Sequence, residues 1–230
     1  LYGSWGRGLE ADVAPSLGRY ANAGESLALQ SRQVELGLKH GDEALEASLT
    51  LFDIDRGVAA DLGSCDGPAT CRHVADGSAR HRGVEATWQG RAGRWGWQTS
   101  AMWLDARRRG SAQAGIDGSR PTNVPAATLR LGGAYHPAAV SDLALQAAWL
   151  AESNRVVLPY DQSVRIPGWS RLDLDARWRT RWAGTALTWR VGVDNVFDRR
   201  AWKESPYQFG HVYLYPLAPR TWRASVAARI

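Results

Sequence analysis

Apolar and charged residues alternate without a break from Leu172 to Arg179 (Leu-Asp-Leu-Asp-Ala-Arg-Trp-Arg). No other feature of the 230-residue chain constrains its fold as strongly. Successive side chains of a strand point to opposite faces, so a period of two is a strand signature. A helix would place Leu172 and Asp175 on one face and lose its amphipathicity. The pattern recurs at Leu187, Trp189, Val191 and Val193 against Thr188, Arg190, Gly192 and Asp194. It recurs again at Trp222, Ala224, Val226, Ala228 and Ile230 against Arg223, Ser225, Ala227 and Arg229. Upstream, with less contrast, come Val34 to Leu38 and Leu45 to Leu51, then Val84–Gln89, Trp95–Leu104, Leu129–Tyr135 and Leu143–Trp149. With Leu1–Leu9, the chain reads as about ten strands.

The connections fall into two classes. His40–Glu43, Arg91–Arg94, Pro137–Ser141 and Arg181–Gly184 are short; 11–30, 57–78, 106–125, 152–167 and 198–219 are long and polar. The two classes alternate along the chain. In a hairpin meander, alternate connections lie at opposite ends of the sheet. All short turns therefore gather at one end and all long loops at the other, the habit of outer-membrane barrels with short periplasmic turns and long extracellular loops.

Composition agrees with this reading once its apparent contradiction is removed. Mean hydropathy is -0.36, and nothing approaches the run of about 18 apolar residues that a spanning helix needs. A barrel strand needs apolar residues only at alternate positions. Twelve Trp against three Phe and one Met suit interfacial belts, where one end of the side chain is apolar and the other wet. The apolar set then faces lipid. Arg177, Arg190 and Arg223, with Asp173, Asp175, Arg179 and Asp194, face a watery lumen, because a lipid-facing Arg at the midplane costs about 2–4 kcal/mol. The expected fold is all-β, an antiparallel transmembrane β-barrel meander.

Several segments carry a resemblance. Val191-Gly192-Val193-Asp194-Asn195-Val196-Phe197-Asp198-Arg199-Arg200-Ala201-Trp202 looks like the penultimate strand and Asn-Leu-Phe-Asp motif of the TonB-dependent outer-membrane receptors, most closely the ferric-siderophore group. Pro219–Val226 resembles the start of their last strand, and Ile166-Pro167-Gly168-Trp169 with Leu172-Asp173-Leu174 the strand before. Gly118–Pro125 and Arg80–Glu85 are similar to two further loop-strand junctions. The chain departs from the pattern at Val196 and Ala201, where Leu and Tyr are usual, and at Ile230, where an aromatic residue read by the assembly machinery is usual. The resemblance implies that residues 1–230 are the C-terminal part of a 22-stranded barrel whose plug domain and first strands lie elsewhere. It also implies a ferric siderophore or similar chelate as ligand, and a TonB complex engaged through the plug. Leu1 starts directly inside patterned sequence, with no charged start or apolar h-region, so the natural N-terminus is expected upstream. Lipopolysaccharide and the assembly machinery are the expected partners in the outer membrane of a Gram-negative bacterium.

Cys65 and Cys71 sit in the long loop 57–78. They read as a local disulfide of an oxidising exterior; the competing metal pair lacks nearby ligands. Arg107, Arg108 and Arg109 suit lipopolysaccharide phosphates, an anionic chelate or a solvated charge run, with nucleic acid disfavoured on an exterior rim. The loop 198–219 holds Trp202, Tyr207, Phe209, Tyr213 and Tyr215. Such rings stack on flat anionic chelates while Arg supplies counter-charge; loop self-packing is the alternative. Trp202, Tyr207 and Phe209, with Tyr160 and Arg165 of the neighbouring loop, are the candidate ligand residues. The five His show no ligand spacing, and no catalytic constellation, metal site or cofactor motif is read. A closed ten-stranded protease of the omptin kind would need an Asp-His couple, for which His211 with Asp161 or Asp198 is the one faint candidate. A passive porin would need an inward constriction loop, which is not identifiable.

Overall fold

A computed structural model describes residues 1–208 and 210–229. Every regular element among them is a β-strand. The strands are β1 Tyr2–Val13, β2 Ser26–Gly41, β3 Leu45–Gly63, β4 Cys71–Ala92, β5 Trp95–Arg109, β6 Ala127–Tyr135, β7 Leu143–Glu152, β8 Arg155–Leu158, β9 Asp161–Ile166, β10 Trp169–Trp182, β11 Thr185–Asp194, β12 Trp202–Glu204, β13 Tyr207–Gln208, β14 His211–Val212, β15 Tyr215–Pro216 and β16 Thr221–Arg229. Ten form one sheet in the order β1-β2-β3-β4-β5-β6-β7-β10-β11-β16, and every neighbouring pair is antiparallel. The short strands form three separate hairpin-like pairs, β8-β9, β12-β15 and β13-β14.

The short turns all lie at one end and owe their tightness to particular residues. Asp42 accepts hydrogen bonds through Oδ1 from the N–H groups of Ala44 (2.8 Å) and Leu45 (2.8 Å), an Asx turn. Ala183 and Gly184 both have positive φ, 50° and 83°, as a two-residue hairpin with the native strand twist requires.

Register shows which face meets what. Tyr135 lies opposite Leu145, Leu145 opposite Ala176, Ala176 opposite Val191, and Val191 opposite Ala224. A second row runs Leu36, Leu51, Val84, Trp103. These rows are unbroken apolar stripes that stand open: Val191 is 53% exposed, Leu51 52% and Leu36 53%. On the opposite face exposure varies, from Asp173 at 8% to Arg223, whose side chain is 52% exposed. A water-soluble sheet would bury such stripes. Lipid tails are the solvent that removes this apolar area from water.

The charged face resolves part of its crowding by pairing across strands. Arg223 on β16 donates through Nε and Nη2 to Asp194 of β11 (2.8 and 2.8 Å) and through Nη2 to Asp175 of β10 (3.1 Å). Gly192 lies between them, and a Cβ there would strike the Asp175 carboxylate. Arg171 pairs with Asp173 at 3.1 Å. Arg177 and Arg190, by contrast, lie directly opposite each other.

At the long-loop end the ladders run further than the sequence suggests. The stretch 57–78 shrinks to a tip of 64–70, because β3 and β4 stay paired up to Gly63 opposite Cys71. A spanning strand needs only about 9–11 residues, whereas β3 has 19 and β4 has 22. Their distal ends therefore stand clear of the apolar band as a projecting hairpin, kinked where register shifts between Gly57 and Ala59.

Candidate functional site

The long loops are tied to one another by buried polar residues. At the base of the last loop, Asn195 is 1% exposed. Its Nδ2 donates to the carbonyls of Arg199 (3.0 Å) and Ala218 (2.9 Å), and its Oδ1 accepts from the Arg199 N–H (2.8 Å). Its own N–H donates to Asp173 Oδ1 (2.8 Å). Three residues on, the Asp198 N–H donates to the Asn195 carbonyl (2.8 Å), and Asp198 Oδ1 accepts from the Arg220 N–H (3.0 Å). Both residues have left-handed φ, 52° and 49°, which Asn and Asp tolerate better than other side chains. Asn-x-x-Asp is thus a staple that closes both ends of the 195–220 segment.

A second knot joins three loops. The Asn123 N–H donates to the Val156 carbonyl (2.9 Å). Its carbonyl and Oδ1 accept from Arg155 Nη1 (3.1 and 3.0 Å), and Oδ1 also accepts from the N–H of Ser205 (2.8 Å). Arg155, 7% exposed, also pairs with Glu152. Gln162 Oε1 accepts from the Arg120 N–H (3.0 Å). Loops 110–126, 153–168 and 195–220 are therefore held as one body.

On the other side, Asp76 of the projecting hairpin accepts from Ser111 Oγ (2.6 Å), the Ala112 N–H (2.8 Å), Gln113 Nε2 (3.3 Å) and Arg108 Nη2 (3.0 Å). Burial pushes its pKa up, but these donors and the Arg108 charge outweigh burial and hold it below the usual carboxylate range. Loop 14–25 zips onto the hairpin tip through Ala21 N–H to Cys71 carbonyl (2.8 Å), Cys71 N–H to Arg19 carbonyl (2.9 Å) and a parallel bridge between Tyr20 and Cys71. Cys65 and Cys71 are bonded to each other across that tip.

His73 sits at the centre of this contact. Its Nδ1 is 2.7 Å from Asp61 Oδ1 and its Nε2 3.3 Å from Asp12 Oδ2, and the Tyr20 hydroxyl donates to Asp61 at 2.7 Å. Burial disfavours the imidazolium, but the hydrogen bonds to Asp61 and Asp12 prevail and raise the His73 pKa above its ordinary value. The stabilisation from this shift is full below about pH 6.5, the unperturbed value, and fades as pH rises through the raised one. Amide exchange in 14–25 and 64–75 should accordingly be slower at about pH 5.5 than at about pH 8.5 after correction for intrinsic rates. His73→Gln should remove the difference; an unchanged difference in that variant would assign it to another group.

The candidate ligand residues divide into two places. Tyr160 and Tyr207 meet edge to face, ring centroids 6.3 Å apart and planes at 84°, which joins loop 153–168 to the last loop. Trp202 lies apart from them, in a cavity of about 460 Å³ lined also by Arg199, Arg200, Pro167, Pro216 and Leu217. Arg165 donates through Nε to the Gln162 carbonyl (2.9 Å) within its own turn and joins neither group. Phe209 lies outside the described residues. The Arg107–Arg109 run is divided by strand alternation: Arg108 turns to Asp76, while Arg107 pairs with Asp105 at 3.1 Å on the other face. His211 makes no hydrogen bond to Asp161 or Asp198 among the described residues. Asp161 is instead occupied by Ser163 (2.9 and 2.6 Å). Sequence reasoning missed Asn123, Arg155 and Asp76 as individual residues, because their partners are remote in the chain.

The family profile described as TonB dependent receptor-like, beta-barrel matches residues 1–196. The chain belongs to the TonB-dependent receptor β-barrel family. It is 31% identical over 201 residues to the ferrichrome receptor FcuA of Yersinia enterocolitica, covering 86% of this chain and 25% of that protein. The crystal structure of BauA, the ferric preacinetobactin receptor from Acinetobacter baumannii, superposes with a TM-score of 0.78 at 26% identity, covering 97% of this chain and 33% of that one. The ferric yersiniabactin uptake receptor FyuA from Yersinia pestis shares the fold, with a TM-score of 0.77 at 17% identity over 99% of this chain and 34% of that one. The chain thus spans about a quarter of the length of FcuA and about a third of the two solved receptors.

Within this receptor barrel, the motifs that carry the family resemblance are junction pieces. Asn195 and Asp198 staple the last loop, Asn123 knots three loops, and Ile166 to Trp169 leads from β9 into β10. The departure at Ala201 has a local consequence: Ala201 lines the cavity beside Trp202, where a Tyr side chain would occupy space. Ile230 lies outside the described residues.

Proposed function

We propose that this chain is the C-terminal wall of an outer-membrane receptor that takes up a ferric siderophore in a TonB-dependent manner, with its cross-linked loops forming part of the extracellular ligand vestibule. The 31% identity to a ferrichrome receptor over most of the chain carries the reading; the geometry supports it. Loops held in place by Asn123, Asn195 and Asp76 present a preorganised surface, which lowers the ordering cost of binding. In the cavity, Trp202 offers a stacking face and Arg199 and Arg200 offer positive charge, a combination suited to a flat anionic chelate. Iron arrives already coordinated, so the site needs no metal ligands of its own.

In this reading the remaining barrel strands and a plug domain belong to the rest of the receptor. The plug takes the driving force from the TonB complex, and the assembly machinery inserts the barrel. The charged lumen face, with Arg177 and Arg190 side by side, meets the plug or water rather than lipid. The test is growth of an iron-starved, receptor-deficient strain carrying the full-length gene, supplied with a panel of ferric chelates. Rescue by one siderophore class is expected; rescue by haem or cobalamin alone overturns the ligand assignment. With the rescuing chelate, Trp202→Ala should weaken binding of the radiolabelled iron complex about tenfold, roughly 1.4 kcal/mol. Unchanged affinity would remove Trp202 from the site.

A further inference from the structure

The lipid-facing side of the sheet changes character abruptly along one arc. On β2 the outward residue after Val34, towards the long-loop end, is Arg32. On β3, Asp53 and Asp55 follow Leu51. On β4, Arg82 and Arg80 follow Val84. On β5, Asp105, Arg107 and Arg109 follow Trp103. These positions are neighbours in register. Asp53 lies opposite Arg82 and Arg82 opposite Asp105; Arg32 lies opposite Asp55, Asp55 opposite Arg80, and Arg80 opposite Arg107. The outward positions of β6, β7, β10, β11 and β16 carry no charge up to their loops, ending in Ala127, Ala151, Ser170, Val193 and Trp222. The charged belt therefore occupies one sector of the wall.

The carboxylates in this belt orient guanidinium groups. Asp53 accepts from Arg80 through both Nε (2.7 Å) and Nη2, which keeps Arg80, its side chain 16% exposed, engaged within the protein; it also accepts from Arg82 Nε (3.1 Å), and Asp105 accepts from Arg107 Nε (3.1 Å). Arg82 engages Asp53 through Nε alone, and its Nη groups make no hydrogen bond to protein among the described residues. The side chains of Arg82 and Arg107 are 52% and 47% exposed. Five guanidinium groups stand against three carboxylates. With a rise of about 3.3 Å per residue and a strand tilt of about 40°, the first charged position sits roughly 5 Å beyond the last apolar one. That is headgroup depth. Guanidinium forks match phosphate oxygens in pairs.

We infer that the outward Arg32, Arg82 and Arg107 on β2, β4 and β5 form a docking site for the phosphate groups of an outer-leaflet lipid. This rests on the outer-membrane placement proposed above. The test uses the full-length receptor in detergent, titrated with bis-phosphorylated lipid A, dephosphorylated lipid A and inorganic phosphate, with binding read by native mass spectrometry. The wild type should retain bis-phosphorylated lipid A and lose the dephosphorylated form. The triple variant Arg32→Gln, Arg82→Gln, Arg107→Gln should bind the former about tenfold more weakly, while the lumen variant Arg190→Gln binds it as the wild type does. Unchanged affinity in the triple variant overturns the site. Inorganic phosphate bound as tightly as lipid A also overturns it, in favour of a free-anion site. Heat-modifiable gel mobility checks that the triple variant is folded; if it is not, Arg82→Gln alone must still weaken binding about threefold for the site to stand. Chelate uptake measured in parallel separates the two readings. Intact uptake with unchanged lipid affinity in the variant sinks only this inference, and a wild type without uptake sinks only the proposed function.

Discussion

Asn195→Ala is expected to destabilise the receptor by about 4 kcal/mol and to free the 195–220 segment from the sheet. The side chain makes three hydrogen bonds in a site that is 1% exposed. Truncation leaves the Arg199 N–H and two carbonyls without partners, each at a penalty of about 1–3 kcal/mol where water cannot enter. Alanine also tolerates the left-handed φ of 52° less well than Asn, by about 1 kcal/mol. Asn195→Gly should recover the backbone part alone. Asn195→Asp should be as damaging as alanine, because a carboxylate oxygen would face the carbonyls of Arg199 and Ala218. Denaturant unfolding of the full-length receptor and amide exchange across 195–220 report the two effects. A loss below about 1 kcal/mol with unchanged exchange would mean that the loop is closed by other contacts.

Val191→Arg is the second large effect. Val191 sits mid-strand in the outward row between Ala176 and Ala224, so an arginine there meets the hydrocarbon core. The expected penalty is about 2–4 kcal/mol, enough to cut the folded fraction in membranes sharply. Gly192→Ala tests the opposite face one residue away, where the added methyl collides with Asp175 rather than lipid. Its effect should appear as loss of the Arg223–Asp175 pair, with insertion retained. If Val191→Arg inserts as well as the wild type, the row from Tyr135 to Ala224 does not face lipid.

How much of this was legible in the sequence follows the range of each interaction. Strand identity and the sorting of turns from loops were legible, because a period of two and turn chemistry at Asp42 or Gly184 are local. The extent of the hairpin was not. Residues 57–63 carry two glycines and little alternation, residues 71–78 are mostly polar, and both read as loop. They stay strand because each completes the ladder of its neighbour. The Arg107–Arg109 run looked like a single patch, but strand parity sends Arg108 to Asp76 and its neighbours to the other face. Asn195 and Asn123 stood out as parts of familiar motifs, without their chemistry. Asn123 reaches Ser205 across 82 residues, and no local signal marks such a partner. Asp76 and Arg155 carried no mark at all, since a buried charge looks like a solvated one until its partners are placed.

The central claim is that this sheet is a membrane wall with lipid on the Val191 face and water on the Arg190 face. Spin labels placed singly at positions 187 to 193 of β11 in the full-length receptor, reconstituted in bilayers, test it directly. Collision with dissolved oxygen should peak at 187, 189, 191 and 193, and collision with a water-soluble nickel chelate at 188, 190 and 192. Accessibility without that two-residue alternation, or alternation with the opposite phase, would contradict the account.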